Sequence, residues 1–188
     1  MTKLLAFNSV SLDGYFVDEN GNMRWAYNTN TDEEWEAFVA GNASGGGILV
    51  FGRITYELMV SYWPTPLAMQ NNPVVAEQMN KRRKIVFSRT LSNSLWNNTK
   101  IVKEGMVAEI RKMKNEAGNG IAILGSGSII SQLTQERLID EYQVVVTPVI
   151  LGKGRTMFEG IKGKLNLKLT RTRSFSNGNV VLCYEPIR

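Results

Sequence analysis

Three short stretches of this chain place glycine, hydroxyl and guanidinium groups directly after an apolar run. That arrangement can receive a phosphorylated ligand. Gly52-Arg53-Ile54-Thr55 follows the apolar residues 48–51. A helix starting there points backbone N–H groups and its positive end outward, which favours phosphate, and Arg53 adds a charge-assisted donor. Ser88-Arg89-Thr90 follows residues 85–87. Its two hydroxyls and one guanidinium suit a phosphomonoester, such as the 2′-phosphate that separates NADP from NAD. Gly125-Ser126-Gly127-Ser128 follows residues 121–124, and glycine lets a backbone approach a pyrophosphate closely. It is not a G-x-G-x-x-G fingerprint, because Ile130 stands at the third glycine, and it is not a P-loop, because no Gly-Lys-Ser/Thr follows. Taken alone, each stretch also reads as an ordinary turn.

Other chemistries are excluded by composition. The chain has no histidine, which removes Ser-His and Cys-His nucleophile pairs and the histidine-containing zinc sites. The single cysteine, Cys183, excludes an internal disulfide framework and a Cys-rich zinc site. It lies in the apolar run 180–184 and reads as a buried strand thiol. No metal site is expected, and proton chemistry is left to Asp, Glu, Tyr, Lys, Cys or water. The net charge of +5 is compatible with an anionic small ligand or with nucleic acid. Its densest run, Lys81-Arg82-Arg83-Lys84, reads as a solvated surface with no nucleic-acid motif beside it. No stretch is long and apolar enough for a bilayer span or a signal peptide, so the expectation is a cytoplasmic protein that binds neither membrane nor nucleic acid.

The elements that must position these turns follow from periodicity. Residues 4–9, 48–51, 85–87, 121–124 and 142–149 read as strands buried on both faces. Helical patterns separate them. Thr31 and Glu34 form a capping box ahead of Trp35, Phe38 and Val39. Arg53–Val60 starts a helix after the second strand, residues 74–80 follow Pro73, and Met106, Ile110 and Met113 stripe a helix over 106–117. Residues 128–133 form another short helix. Leu165, Leu167 and Leu169 alternate with polar residues as a half-buried strand, and the turn Ser176-Asn177-Gly178-Asn179 returns it into 180–184. The expected fold is α/β over residues 1–188 as one domain, with a mostly parallel mixed sheet, helices on both faces and a C-terminal antiparallel hairpin.

With these motifs in order, the chain resembles the dihydrofolate-reductase-like superfamily. Within it, the chain is similar to the C-terminal reductase domain of riboflavin biosynthesis proteins. The resemblance runs through Ser11-Leu12-Asp13-Gly14-Tyr15, Gly52-Arg53-x-Thr55-Tyr56-Glu57, residues 85–90, Leu124-Gly125-Ser126-Gly127, residues 138–141, and Thr147-Pro148-Val149-Ile150-Leu151-Gly152-x-Gly154 with Phe158. It covers roughly residues 4–184. The resemblance implies NADPH as cofactor. Gly52, Arg53, Thr55 and the turn Gly125, Ser126, Gly127, Ser128 with Ile129 would hold its phosphates. Ser88, Arg89 and Thr90 would hold the 2′-phosphate, and the nicotinamide would lie near Asn8 and Ser9 under the loop 15–25, which carries Asn20, Met23 and Trp25. It implies hydride transfer to a small heterocyclic substrate, either a ribosylaminopyrimidine or dihydrofolate, with an unrelated carbonyl or imine as a third option. Asp32, at the start of the first helix, and Asp13, in the Ser-Leu-Asp-Gly loop, are rival catalytic carboxylates on the substrate side. Each also has an ordinary structural reading, as helix N-terminal charge and as turn residue. The chain would be a stand-alone member without a deaminase domain, and a homodimer is expected by similarity.

Overall fold

The computed structural model describes residues 1–27, 32–116 and 118–187. The buried apolar runs become β1 (Leu4–Ser11), β3 (Ile48–Gly52), β4 (Arg83–Phe87), β6 (Ile121–Ile123) and β7 (Glu141–Thr147). Between them stand α1 (Glu33–Ser44), α2 (Arg53–Val60), α3 (Pro66–Asn71), α4 (Pro73–Lys81), α5 (Met106–Asn115) and α6 (Gly127–Gln135). Strand β5 (Thr99–Val102) joins one edge, and the hairpin β9 (Leu167–Ser174) and β10 (Val180–Pro186) joins the other. The eight strands run in the order β5-β4-β3-β6-β1-β7-β10-β9. Every pair from β5 to β7 is parallel, and β10 is antiparallel to both β7 and β9. A separate two-stranded ribbon pairs β2 (Tyr15–Asp18) with β8 (Gly154–Thr156).

Two apolar layers flank the sheet. Ile110 and Met113 of α5, with Ile130 and Leu133 of α6, pack on Leu4, Ala6, Ile85 and Ile123. On the opposite face Ala43 of α1, Tyr56 of α2 and Val75 and Met79 of α4 cover Leu49, Phe51 and Val86. The expected helix-covered parallel sheet with its terminal hairpin is therefore present. Cys183 is buried at 1% exposure, as its apolar run implies. The motif at 138–141 has a structural task. The Asp140 carboxylate accepts from the Leu4 amide at 2.8 Å and pairs with Lys114, whose ammonium also donates to the Leu138 carbonyl.

Three expectations change. The N-cap of α1 is Asp32, whose carboxylate accepts from the Trp35 amide at 3.0 Å; Thr31 lies outside the described residues, as does Ala117 beyond the end of α5. The last strand before the hairpin turn, β9, is exposed along its length instead of half-buried, because it is the sheet edge. The basic run at 81–84 is half structural. Arg82 donates to the carbonyls of Gly47 and Ala43, and Lys84 is fully buried.

The Lys84 ammonium donates to the carbonyls of Asn80 and Arg82 at 3.1 and 2.6 Å and sits 4.6 Å from the Trp96 ring centroid. Burial, helped by the Arg82 charge, pushes its amine from 10.5 down to about 8. Between those two values the unfolded chain binds more protons than the folded one, so stability rises with pH across that window. Lys84→Met is expected to remove that rise. Thermal melts from neutral pH to about pH 10.5 should show the wild type gaining on the variant, and parallel curves would contradict the assignment.

Candidate active site

Carboxyl ends of parallel strands are where ligands meet open α/β sheets; the candidate turns occupy three such ends in spatial sequence, and Asn8 and Ser9 of the next strand continue the row. Ser88 follows β4, Gly52 closes β3, Gly125 follows β6, and Asn8 and Ser9 lie on β1. At about 4.8 Å between neighbours, the row spans roughly 14 Å, a shape suited to an extended ligand.

The middle two turns are one structure. The Gly52 amide donates to the Gly125 carbonyl at 3.0 Å, and the Leu124 amide donates to the Val50 carbonyl at 3.1 Å. A Cβ on Gly52 would come within 2.7 Å of Ser126 Oγ, and one on Gly125, whose φ is +112°, within 2.8 Å of Thr55 Oγ1. Only glycine permits this approach at both positions. The Gly125–Ser126 peptide is cis. Through the Gly52–Gly125 contact helices α2 and α6 begin side by side, with Gly52 and Ser126 as N-caps that make no side-chain cap hydrogen bond. Their first N–H groups are free of side-chain acceptors, and both positive ends face one locus.

The side chains around this locus divide by role. Ser126 Oγ and Ser128 Oγ hydrogen-bond to each other at 2.8 Å. Thr55 is buried against the turn. Arg53 is exposed and pairs with Glu57 at 2.9 Å, one helical turn on. Ile129 turns its side chain into the core, so only its backbone is left for a ligand. Ser88 Oγ accepts from the amides of Thr90 and Leu91, which shapes the turn, while Arg89 and Thr90 are exposed. Asn8 is 4% exposed; its amide nitrogen reaches the Ile123 carbonyl at 3.5 Å and its Oδ1 has no partner. A buried acceptor left open at the end of the row, together with two adjoining helix N-termini, fits a dinucleotide with a phosphate-bearing centre and an amide-bearing ring.

The two candidate carboxylates have separate sets of partners. Asp32 is buried on α1, and its second oxygen accepts from Ser176 Oγ and the Asn177 amide in the β9–β10 turn at 2.7 and 3.0 Å. Those hydrogen bonds, the Trp35 amide foremost, hold its carboxyl down at about 2 against an ordinary 3.8. A depressed carboxylate contributes stability that is complete above the ordinary value and lost as pH falls through the depressed one. Asp32→Asn is therefore expected to melt lower than the wild type at neutral pH. The gap should shrink below pH 3.8 and vanish near about pH 2; a gap independent of pH would contradict this. Asp13 is exposed, and its carboxylate accepts from Ser11 Oγ at 2.6 Å and from the amides of Leu151 and Gly152 at 3.1 and 2.7 Å. The Ser11 hydroxyl, with those amides, holds this carboxyl below the usual range.

Sequence patterns missed part of the neighbourhood. Phe16 lies in β2 and Met157 just beyond β8, and both bear on the glycine turn: Phe16 Cζ lies 3.4 Å from the Cβ position of Gly125, and the Met157 carbonyl 3.2 Å from that of Gly127. The apolar triplet Tyr15-Phe16-Val17 is the one signal for β2, and nothing local marks Met157. Thr147 and Asn179 are also buried, and their side-chain polar atoms are unpartnered. Among the described residues no helix is long and apolar enough to cross a membrane, and no group of three His, Cys, Asp or Glu residues could hold a metal ion.

Strand order, flanking helices and antiparallel terminal hairpin together define the dihydrofolate-reductase-like α/β fold. Within that fold the chain belongs to the RibD C-terminal domain family, whose profile matches residues 2–181. The Bacillus subtilis (strain 168) protein YyaP, itself uncharacterized, is 28% identical over 177 residues, 94% of this chain and 91% of its own. The diaminohydroxyphosphoribosylaminopyrimidine deaminase/5-amino-6-(5-phosphoribosylamino)uracil reductase of Thermotoga maritima superposes with a TM-score of 0.68 at 14% identity, over 99% of this chain and 57% of that one. Dihydrofolate reductase from Enterococcus faecalis, solved with NADP(H), superposes with a TM-score of 0.65 at 16% identity, over 99% and 97% of the two chains. At these identities the likeness to the solved structures is one of fold.

Proposed function

We propose that this protein is an NADPH-dependent reductase of a small heterocycle, of the ribosylaminopyrimidine type. The observation that carries the reading is the row of groups across four adjacent strands, with the α2 and α6 N-termini joined at its centre. Bound NADPH would supply the hydride. Gly52, Arg53, Thr55 and Gly125–Ser128 would hold its phosphates by backbone N–H groups, hydroxyls and one guanidinium. Ser88, Arg89 and Thr90 would take the 2′-phosphate one strand beyond Gly52. Asn8 and Ser9 would lie beside the nicotinamide, where the open Oδ1 of Asn8 accepts an amide N–H.

On the substrate side, Asp32 and Asp13 are both depressed carboxylates and are ionised at neutral pH. Neither carries a proton to give at neutral pH, so the proton that completes the reduction would come from another group or from water. A carboxylate that faces the substrate would contribute orientation: it accepts from ring N–H groups, and juxtaposing the rings and excluding water is most of what hydride transfer asks of a protein. The fully exposed edge strand β9 offers a pairing surface for a homodimer.

The family and the Thermotoga maritima neighbour favour the uracil-type substrate. The placement of Asp32 at the start of α1 supports dihydrofolate as the second reading. NADPH oxidation assayed with 5-amino-6-(5-phosphoribosylamino)uracil and with dihydrofolate decides between them. Turnover of the first supports the proposal, and turnover of dihydrofolate alone replaces it. Cofactor binding without turnover of either points to another carbonyl or imine, or to a nucleotide-binding protein.

A further inference from the structure

Two motifs singled out by the sequence lie outside the phosphate-binding turns: Ser11-Leu12-Asp13-Gly14-Tyr15 at the end of β1, and Gly152-x-Gly154 after β7. In the fold they are the two halves of one clamp. Asp13 accepts from the amides of Leu151 and Gly152, with Gly152 at φ +73°. The Leu12 amide donates to the Val149 carbonyl at 2.8 Å. Ser11 Oγ donates to Asp13 and accepts from the Tyr15 amide at 2.9 Å, and Tyr15 Oη donates to the Gly152 carbonyl at 3.4 Å. Beyond the clamp the two segments pair as β2 and β8, so closely that a Cβ on Gly154 would lie 2.0 Å from the Val17 carbonyl.

The clamp leads to the glycine turn. Strand β2 carries Phe16, and the segment leaving β8 carries Met157; these are the groups packed against Gly125 and Gly127. Ser131 of α6 fastens the same segment by donating to the carbonyls of Met157 and Glu159 at 3.3 and 2.8 Å. A contiguous path therefore runs from the Asp13 carboxylate through β2 and β8 to the turn, made of packed groups and hydrogen bonds.

We infer that Asp13 is a positioning residue: by clamping the loop after β1 to the loop after β7, it holds Phe16 and Met157 against Gly125–Gly127 and so sets the phosphate-binding turn. The cofactor half of this inference rests on the NADPH reading above. It departs from a substrate contact by Asp13 in what the variants should do. In Asp13→Asn one oxygen becomes an NH2 group, which cannot accept from a backbone amide or from Ser11.

Titration with NADPH and steady-state kinetics on Asp13→Asn, Ser11→Ala and the double variant separate the alternatives. The expected result is a rise of roughly tenfold in the NADPH Kd of Asp13→Asn, with the loss falling on cofactor affinity rather than on kcat. Ser11→Ala should move the Kd in the same direction by less. The double variant should add little to Asp13→Asn, because both changes remove parts of one network. An unchanged NADPH Kd with a reduced kcat would overturn the inference in favour of direct substrate contact. Additive effects of the two substitutions would overturn it as well. Amide exchange provides a readout that needs no cofactor. The Gly52 and Ile130 amides are closed by the carbonyls of Gly125 and Ser126, and both should exchange faster in the two single variants. If the wild type fails to bind NADPH, the proposed function falls, and the clamp is then judged on this exchange alone; unaltered rates would overturn it.

Discussion

Gly125→Ala is expected to weaken NADPH binding by roughly 100-fold or more while leaving a folded protein. The backbone at Gly125 has φ +112°, and an added Cβ would meet Thr55 Oγ1 at 2.8 Å on one side and Phe16 Cζ at 3.4 Å on the other. Thr55 is buried and short, so it cannot swing aside. The strained backbone costs about 1–3 kcal/mol, and its relief is movement of the turn. Each hydrogen bond to a charged phosphate is worth about 1.5–3 kcal/mol. Losing two of them is a fall of roughly 100-fold or more in affinity. Gly41→Ala is the control: it lies inside α1 with nothing within 4 Å of the new methyl. That change should stabilise by about 0.5–1 kcal/mol and leave binding alone. Isothermal titration and thermal melts of the two variants check both statements, and unimpaired NADPH binding by Gly125→Ala would remove the turn from the site.

Arg89→Ala should weaken NADPH far more than NADH. Arg89 is exposed just beyond the end of β4, one strand from the N-terminus of α2 and two from that of α6. Under the proposed function, only NADPH carries a phosphate that would reach it. A charge-assisted hydrogen bond of about 1.5–3 kcal/mol corresponds to roughly 10- to 100-fold in Kd, with solvent screening placing the expectation toward the lower end. The NADH Kd should move little. Equal losses for the two nucleotides would take Arg89 out of this role and leave Arg53 as the main guanidinium of the site.

Much of this site was legible because its parts are local. The strand at 48–51 ends at a glycine and is followed directly by a helical pattern, so β3, α2 and the turn between them could be placed from a dozen residues. The same holds for Gly125–Ser128 between β6 and α6. Elements made by distant pairing were not legible. Strand β8 is Gly-Arg-Thr, with no apolar residue, and exists because β2 lies beside it. Strand β5 is four residues at a sheet edge. Burial of Lys84 depends on Trp96 and on the carbonyls of Asn80 and Arg82, and a run of four cations announces only charge.

The carboxylates show the same limit. Asp13 and Asp32 were singled out as groups that could face a substrate. The structure gives Asp13 partners at 151 and 152 and gives Asp32 partners at 176 and 177. A residue's type and its immediate neighbours suggest what it can do chemically. Which lone pairs the fold already uses is decided more than a hundred positions away.

Titration of the purified protein with NADPH and with NADH tests the central claim most directly. The account predicts saturable NADPH binding, with NADH weaker by about the roughly tenfold or more that one phosphate contact supplies. Absence of saturable NADPH binding would contradict it.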